Sequence, residues 1–335
     1  MTAPRVLVAD SLSPAALRIF AERGIEADVR IGQHPIDLGR SIAPYDGLAI
    51  RSATRVTREL LAGAGRLRVV GRAGVGVDNV DLDAATARGV VVMNTPHANS
   101  VTTAEHTIAL LLALARHIPQ ATASTKAGLW EKGRFLGMEL TGKTLGIVGC
   151  GNIGSLVADR ARGLRLKVIA TDPALTRQRA GELGVEKVDL PELLARADVV
   201  TLHVPLDAGT RGLLSAAALA RCKPGVRVIN CARGGVLDEA ALAEAIRSGH
   251  VAGAALDVFE TEPAHESPLF GLDGVICTPH LGAATAEAQE AMARHVAEQM
   301  SDFLLTGTVR NAVNRVPAPR PNLDLTELAG ALAGP

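Results

Sequence analysis

The sequence predicts an α/β protein made of two doubly wound parallel-sheet domains. Three observations predict it. Apolar runs of strand length alternate with helical patterns nearly throughout the 335 residues. That length suits two ordinary domains better than one. Only 2% of residues are aromatic while 47% are hydrophobic. The core must therefore come from Ala, Val, Leu and Ile, which suits sheets covered by helices.

The first series opens with a strand at Arg5–Ala9. Ser13-Pro14 starts a helix, because a hydroxyl can cap and proline fits the first turn. A short strand near Ala27–Ile31 and a strand at Gly47–Ile50 follow, then a helix from Thr57. Arg68–Val70, a helix at Leu82–Arg88 and Val90–Met93 complete the series. Ser100–Arg116 reads as a long apolar helix, and the loop Gly128–Gly142 carries the only tryptophan, Trp130. The second series has strands at Thr144–Val148, Lys167–Thr171, Asp198–His203, Val226–Asn230, Gly253–Asp257 and Val275–Thr278. A helix at Ala286–Thr306 follows, then a Pro-rich tail from Arg315. The last helix is expected to return the chain to the first domain, leaving an active-site cleft between the two.

Composition excludes several classes. Lys plus Arg and Asp plus Glu are each 35, so the formal net charge is zero. Such a chain has no electrostatic footprint for nucleic acid or an anionic membrane. The longest apolar run, Ile108–Ala115, is far too short to span a bilayer. MTAPRVLVAD lacks a signal-peptide pattern. Cys150, Cys222, Cys231 and Cys277 form no CxxC pair, so reduced thiols, a cytoplasmic setting and no metal site are expected.

Gly149, Gly151 and Gly154 stand in G-x-G-x-x-G spacing between a strand and a helix over Ser155–Arg162. Gly149 permits a tight turn, Gly151 lets the backbone approach a pyrophosphate, and Gly154 lets the helix pack close to the strand. The helix N-terminus offers free amides to phosphates. Asp172 ends the next strand, 18 residues past Gly154, where a carboxylate binds a ribose diol and repels a 2′-phosphate. This favours NAD over NADP, although Arg177 and Arg179 lie close by.

Ligands of open parallel sheets bind outside the carboxyl ends of the strands. There the second series delivers His203-Val204-Pro205, then Cys231-Ala232-Arg233, then Asp257 with Glu260 and Glu262, then Pro279-His280-Leu281-Gly282. One arginine, carboxylates and one histidine thus converge, a set that suits hydride transfer. His280 can take a hydroxyl proton near neutral pH, a carboxylate can orient it, and Arg233 can clamp a substrate carboxylate. In the first series Arg51-Ser52 and Gly71-Arg72-Ala73-Gly74 follow strands, and arginines beside backbone amides make an anion site.

The stretches Val69–Asn79, Met93–Glu105, Lys143–Gly154, Asn230–Asp238, Gly253–Phe259 and Pro279–Ala283 together carry a resemblance running from about residue 4 to residue 314. Through them the chain strongly resembles the D-isomer-specific 2-hydroxyacid dehydrogenase family. The resemblance implies a flavodoxin-like substrate domain from residues 1–96 with 286–315. It implies a Rossmann NAD-binding domain over 97–285, and a tail at 316–335. It implies that Arg233 binds substrate, that His280 is the acid/base and that Glu262 is its partner. NAD contacts are implied for Gly149, Gly151, Asn152, Ile153, Gly154, Asp172, His203, Pro205, Cys231, Ala232, Arg233, Asp257, His280, Gly282 and Ala283. RAGVGVDNVD with NCARGG points to the branch that oxidises 3-phospho-D-glycerate to 3-phosphohydroxypyruvate, the first step of serine biosynthesis. In that branch Arg51 and Arg72 fall on phosphate-binding positions, with Ser52, Gly74 and Asn99 beside the substrate. Lys132 of the partner subunit adds a third basic group, with Arg134 near it. A homodimer or homotetramer is implied.

Val75 and Val204 stand where some relatives carry threonine, so two cofactor hydrogen bonds are not expected. Relatives that continue into a C-terminal regulatory domain bind serine there, and no such site is expected in these residues. Two other readings stay open. One is a reductase of glyoxylate, hydroxypyruvate or another 2-ketoacid. The other is a non-enzymatic NAD-sensing interaction protein, since fold does not fix function.

Overall fold

The computed structural model describes residues 3–316. The chain forms two compact units. One holds the chain before Asn99 and after Ala288; the other is Asn99–Ala288. The tail from residue 317 onward lies outside the described residues.

The first unit alternates strands and helices: β1 (Arg5–Val8), α1 (Pro14–Glu22), β2 (Glu26–Val29), α2 (Pro35–Ser41), β3 (Gly47–Ile50), α3 (Arg58–Gly63), β4 (Val69–Arg72), α4 (Leu82–Ala87) and β5 (Val91–Met93). Polar side chains open these helices. Ser13 caps α1, Thr57 caps α3 and Asp81 caps α4, each accepting from a backbone N–H of the first turn. All strand pairs are parallel, in the order β2-β1-β3-β4-β5. The direction of winding reverses at β1 and β3, and ligands of doubly wound sheets bind at such a switch point.

The second unit starts with two helices, α5 (Ser100–Ala115) and α6 (Ile118–Lys126), and a 3₁₀ turn at Lys132–Phe135. Then come β6 (Thr144–Val148), α7 (Asn152–Gly163), β7 (Lys167–Thr171), α8 (Arg177–Leu183), β8 (Glu186–Lys187), α9 (Leu190–Arg196) and β9 (Val199–Leu202). It closes with α10 (Ala216–Leu219), β10 (Val226–Asn230), α11 (Glu239–Arg247), β11 (Val251–Leu256) and β12 (Val275–Cys277). The seven strands are parallel, in the order β12-β11-β10-β9-β6-β7-β8. Here the winding reverses between β6 and β9. The last helix, α12 (Ala286–Thr306), sends most of its length into the first unit. Its Met292, Val296 and Met300 are buried there, and Gln299 Nε2 donates to Asn94 O at 2.8 Å.

Several elements differ from the sequence reading. Helices α2 and α6 and the two-residue edge strand β8 were not expected; all are short and mostly polar, so their apolar periodicity is faint. Strand β4 runs over Val69–Arg72 rather than Arg68–Val70, so Arg72 belongs to the strand. Strand β11 starts at Val251, ahead of Gly253, and ends at Leu256. Helix α7 starts at Asn152, because Gly151 already occupies its cap position. The loop Gly128–Gly142 contains the 3₁₀ turn, and Trp130 there is 87% exposed.

Candidate active site

At the switch point of the second unit, β6 runs straight into the glycine loop. A Cβ on Gly154 would stand 2.1 Å from Gly149 O, so only glycine lets α7 pack this close to the loop. Gly151 is the contrast: a Cβ there would meet nothing within 4 Å. Its outer side is open, and as the cap residue of α7 it carries no side chain to accept from the first turn. Asn152 is exposed and Ile153 half-buried on that first turn. Asp172, directly after β7, reaches back across the loop. Its Oδ2 accepts from Cys150 N at 2.8 Å and its Oδ1 from Ala174 N at 2.7 Å. The carboxylate is thereby fixed, with lone pairs left for a diol. Arg179 pairs instead with Glu182 at 2.9 Å. A glycine at the helix cap, its open face and a fixed carboxylate fit a dinucleotide.

Across the switch point, β9 delivers His203. Its Nε2 lies 3.0 Å from Thr201 Oγ1, while its Nδ1 is buried without a partner. Burial brings this imidazole down to about 4, so it is neutral at physiological pH. Pro205 beyond it is exposed.

Strand β10 ends in Asn230, whose buried amide ties the next turn: Oδ1 accepts from Ala232 N at 3.0 Å and Nδ2 donates to Arg233 O at 2.9 Å. Cys231 is buried, which pushes its thiol up to about 12. It is a neutral wall, and Ala232 and Arg233 are half-buried beside it. A Cβ on Gly234 would lie 1.8 Å from Phe259 O, so the Arg233 turn rests directly on the loop after β11.

That loop carries Glu262. Its Oε1 accepts from Phe259 N at 3.0 Å and its Oε2 lies 2.7 Å from His280 Nδ1. Burial raises the Glu262 carboxyl, but the hydrogen bond and charge of His280, the Phe259 amide and the nearby Arg233 guanidinium outweigh it. The carboxyl is held below its ordinary value. Glu239 anchors the same loop from α11, accepting from Glu260 N and Ser267 Oγ, each at 2.7 Å.

His280 sits in the left-handed region, with φ of 56°. A non-glycine residue persists there only when its surroundings hold it. Asp257 does so: its Oδ1 accepts from Leu281 N and its Oδ2 from Gly282 N, both at 2.7 Å. Asp257 is 1% exposed. Thr278 Oγ1 donates to it at 2.6 Å, and His106 Nε2 lies 3.2 Å from both Asp257 Oδ1 and Thr278 Oγ1. Thr103 Oγ1 donates to Gly282 O at 2.9 Å. Desolvation raises the Asp257 carboxyl, yet His106, Thr278 and the Leu281 amide outweigh it and hold it ionised. Gly282 is buried and Ala283 half-buried in this turn. Sequence reasoning missed Thr103, His106 and Thr278. The available signal was Thr103 and His106 three apart on α5, and Thr278 directly after β12.

Residues 108–282 match the model of the D-isomer specific 2-hydroxyacid dehydrogenase NAD-binding domain. The chain belongs to this family. It is 47% identical over 311 residues to the D-3-phosphoglycerate dehydrogenase of Archaeoglobus fulgidus, covering 92% of this chain but 59% of that one. The chain thus spans about three-fifths of the length of that curated relative. It is also similar to a solved structure from Thermus thermophilus, at 38% identity and a TM-score of 0.85, covering 92% of this chain and 99% of the other. A glyoxylate reductase from Paecilomyes thermophila reaches the same TM-score at 29% identity, covering 93% and 99%.

The remaining candidate residues lie elsewhere. In the first unit, Arg51 follows β3 and Arg72 ends β4, on strands paired so that Ile50 is opposite Arg72. Arg51 N donates to Asp10 Oδ2 at 2.6 Å. Ser52 is exposed, and Gly74 is buried beside Arg72. In the second unit, Asn99 precedes α5 without capping it, and its Oδ1 is buried without a hydrogen-bond partner. Lys132 is exposed on the 3₁₀ turn, and Arg134 pairs with Glu131 at 3.2 Å. Among the described residues no group of His, Cys, Asp and Glu could hold a metal ion, and no helix is long and apolar enough to cross a membrane.

Proposed function

We propose that this dehydrogenase oxidises 3-phospho-D-glycerate to 3-phosphohydroxypyruvate, with NAD as hydride acceptor. The reaction forms NADH and releases one proton, and runs downhill in reverse. The single observation that carries the substrate is the arginine pair, Arg51 and Arg72, at the ends of two adjacent strands beside the switch point of the first unit. Two guanidinium groups carried by neighbouring strand ends suit the several oxygens of one phosphate. The D-3-phosphoglycerate dehydrogenase relative at 47% identity supports the same substrate.

The chain's own residues divide the work. Gly151, Asn152 and Ile153 offer amides to the pyrophosphate, and Asp172 takes the ribose diol. Gly149, Gly154, His203, Pro205, Cys231, Ala232, Asp257, Gly282 and Ala283 shape the remaining wall. NAD, when bound, supplies the acceptor for the hydride leaving C2. Glu262 occupies His280 Nδ1, which leaves Nε2 to take the C2 hydroxyl proton. Glu262 then stabilises the imidazolium, as a carboxylate orients a catalytic histidine elsewhere. Arg233 clamps the substrate carboxylate. Ser52, Gly74 and Asn99 line the substrate, and Lys132 of the partner subunit completes the basic set.

A homodimer or homotetramer is supported by the exposed apolar side chains of α5, α6 and the following loop. Val101, Ile118, Trp130 and Leu136 are all more than half exposed. Four free thiols suit a reducing cytoplasm.

The test is NADH consumption with 3-phosphohydroxypyruvate, hydroxypyruvate and glyoxylate side by side. A strong preference for the phosphorylated ketone supports the proposal. Equal or faster turnover of the other two makes the protein a general 2-ketoacid reductase. Tight NADH binding without turnover of any of them favours an NAD-sensing interaction protein.

A further inference from the structure

The arginine pair does not stand by itself. Asn79 reaches it with every polar atom of its side chain. Its Oδ1 accepts from Arg72 Nε at 3.2 Å. Its Nδ2 donates to Arg51 O at 2.7 Å and to Thr54 O at 2.6 Å. One amide therefore fixes a guanidinium on the end of β4 and the backbone that carries a second guanidinium after β3.

Two further contacts sharpen the arrangement. Arg72 Nη1 lies over Gly74, where a Cβ would come within 2.0 Å of it. The guanidinium is thus held at Nε by Asn79 and bounded at Nη1 by a residue without a side chain. On the other flank, Asp10 Oδ2 accepts from Arg51 N at 2.6 Å and Thr54 N at 3.2 Å, and its Oδ1 from Thr54 Oγ1 at 2.7 Å. The loop from Arg51 to Thr54 is gripped from two sides, by Asp10 after β1 and by Asn79.

We propose that Asn79 is the positioning residue for phosphate recognition, holding Arg51 and Arg72 in the spacing that a phosphoryl group needs. This rests on the phosphorylated substrate of the previous section. An arginine already ordered loses less side-chain freedom when it binds an anion, so the ordering shows as affinity. The chemical class served is a phosphomonoester of a small hydroxy or keto acid; an unphosphorylated ketoacid gains nothing from it.

The experiment compares kcat/KM for 3-phosphohydroxypyruvate and for hydroxypyruvate in the wild-type protein and in Asn79→Ala. The ratio of the two is expected to fall about tenfold or more in the variant, through KM for the phosphorylated ketone. A general structural role lowers both substrates together and leaves the ratio where it was, and that result overturns the inference. In an Arg72→Ala background, Asn79→Ala is expected to lower the ratio less, since one of the two arginines it positions is gone. Should Asn79→Ala fail to fold, Asn79→Asp makes the same comparison at nearly the same shape; it keeps the acceptor for Arg72 and loses both donors to the loop. A wild-type protein with no preference for the phosphorylated ketone removes the substrate reading itself, and this inference with it. A wild-type preference that survives every Asn79 variant removes the inference alone.

Discussion

Glu262 Oε2 lies 2.7 Å from His280 Nδ1, and the loops that carry the two residues are each anchored by a further buried carboxylate. The pair is therefore set before any substrate arrives. His280→Ala is expected to reduce turnover by about two to four orders of magnitude, the usual share of general acid–base catalysis, while NADH affinity measured by fluorescence titration stays within about twofold. Glu262→Gln keeps the shape but loses the charge that stabilises the imidazolium, so its turnover should fall by an intermediate factor. Stopped-flow rates equal to wild type in both variants would remove the pair from the chemistry.

Asp172 makes a second expectation concrete. An acidic residue at this place in a nucleotide-binding domain ordinarily serves the ribose diol alone. Here the carboxylate also ties the glycine loop through Cys150 N and its own turn through Ala174 N. Asp172→Ala is expected to raise KM for NADH by about tenfold, consistent with losing charge-assisted hydrogen bonds, without a matching gain for NADPH. Efficient NADPH turnover in that variant would show that the loop holds its shape unaided.

The brace behind His280 can be tested separately. His106 reaches Asp257 and Thr278, and so acts on His280 through the turn they hold. His106→Leu is expected to lower kcat about tenfold or more, since small misplacements of a reacting group are costly, with little change in KM. A loss confined to thermal stability would mean the brace serves the core alone.

Much of this arrangement was legible in the sequence, and the reason is local. Strand β3 announces itself as an apolar run and β6, β7 and β10 as mostly apolar ones, and G-x-G-x-x-G between a strand and a helix dictates its own geometry. Strand ends named the loops of His280 and Glu262, and the family resemblance singled out Glu262 from its neighbour Glu260. The bracing contacts were not. His106 and Asp257 are 151 positions apart, by subtraction, and nothing short of the fold brings α5 under the turn after β12. Asn79 was hidden differently: it sits inside a quoted motif, but its partners Arg51 and Thr54 follow another strand.

Stability against pH should carry the mark of His203. Its folded value is brought down to about 4 by burial, against an unfolded value of about 6.5. Above the unfolded value both states are neutral and the residue contributes no pH dependence. As pH falls from about 6.5 toward 4 the unfolded chain takes up the proton first, so folding stability declines through that window and levels off below it. Differential scanning calorimetry of His203→Gln is expected to show a shallower fall in Tm across the same window. An identical slope in both proteins would mean other groups set it.

The last helix has a consequence for how the protein is made. The second unit is one unbroken stretch, Asn99–Ala288, and can be completed while the ribosome is still working. The first unit is split: Val296, Met300 and Gln299, which fill and tie it, are translated after the whole second unit. Its five strands must wait some two hundred codons, by the numbering, with an apolar face uncovered. Newly synthesised chains halted within α12 should therefore bind chaperones through their N-terminal quarter while already holding a finished nucleotide-binding unit.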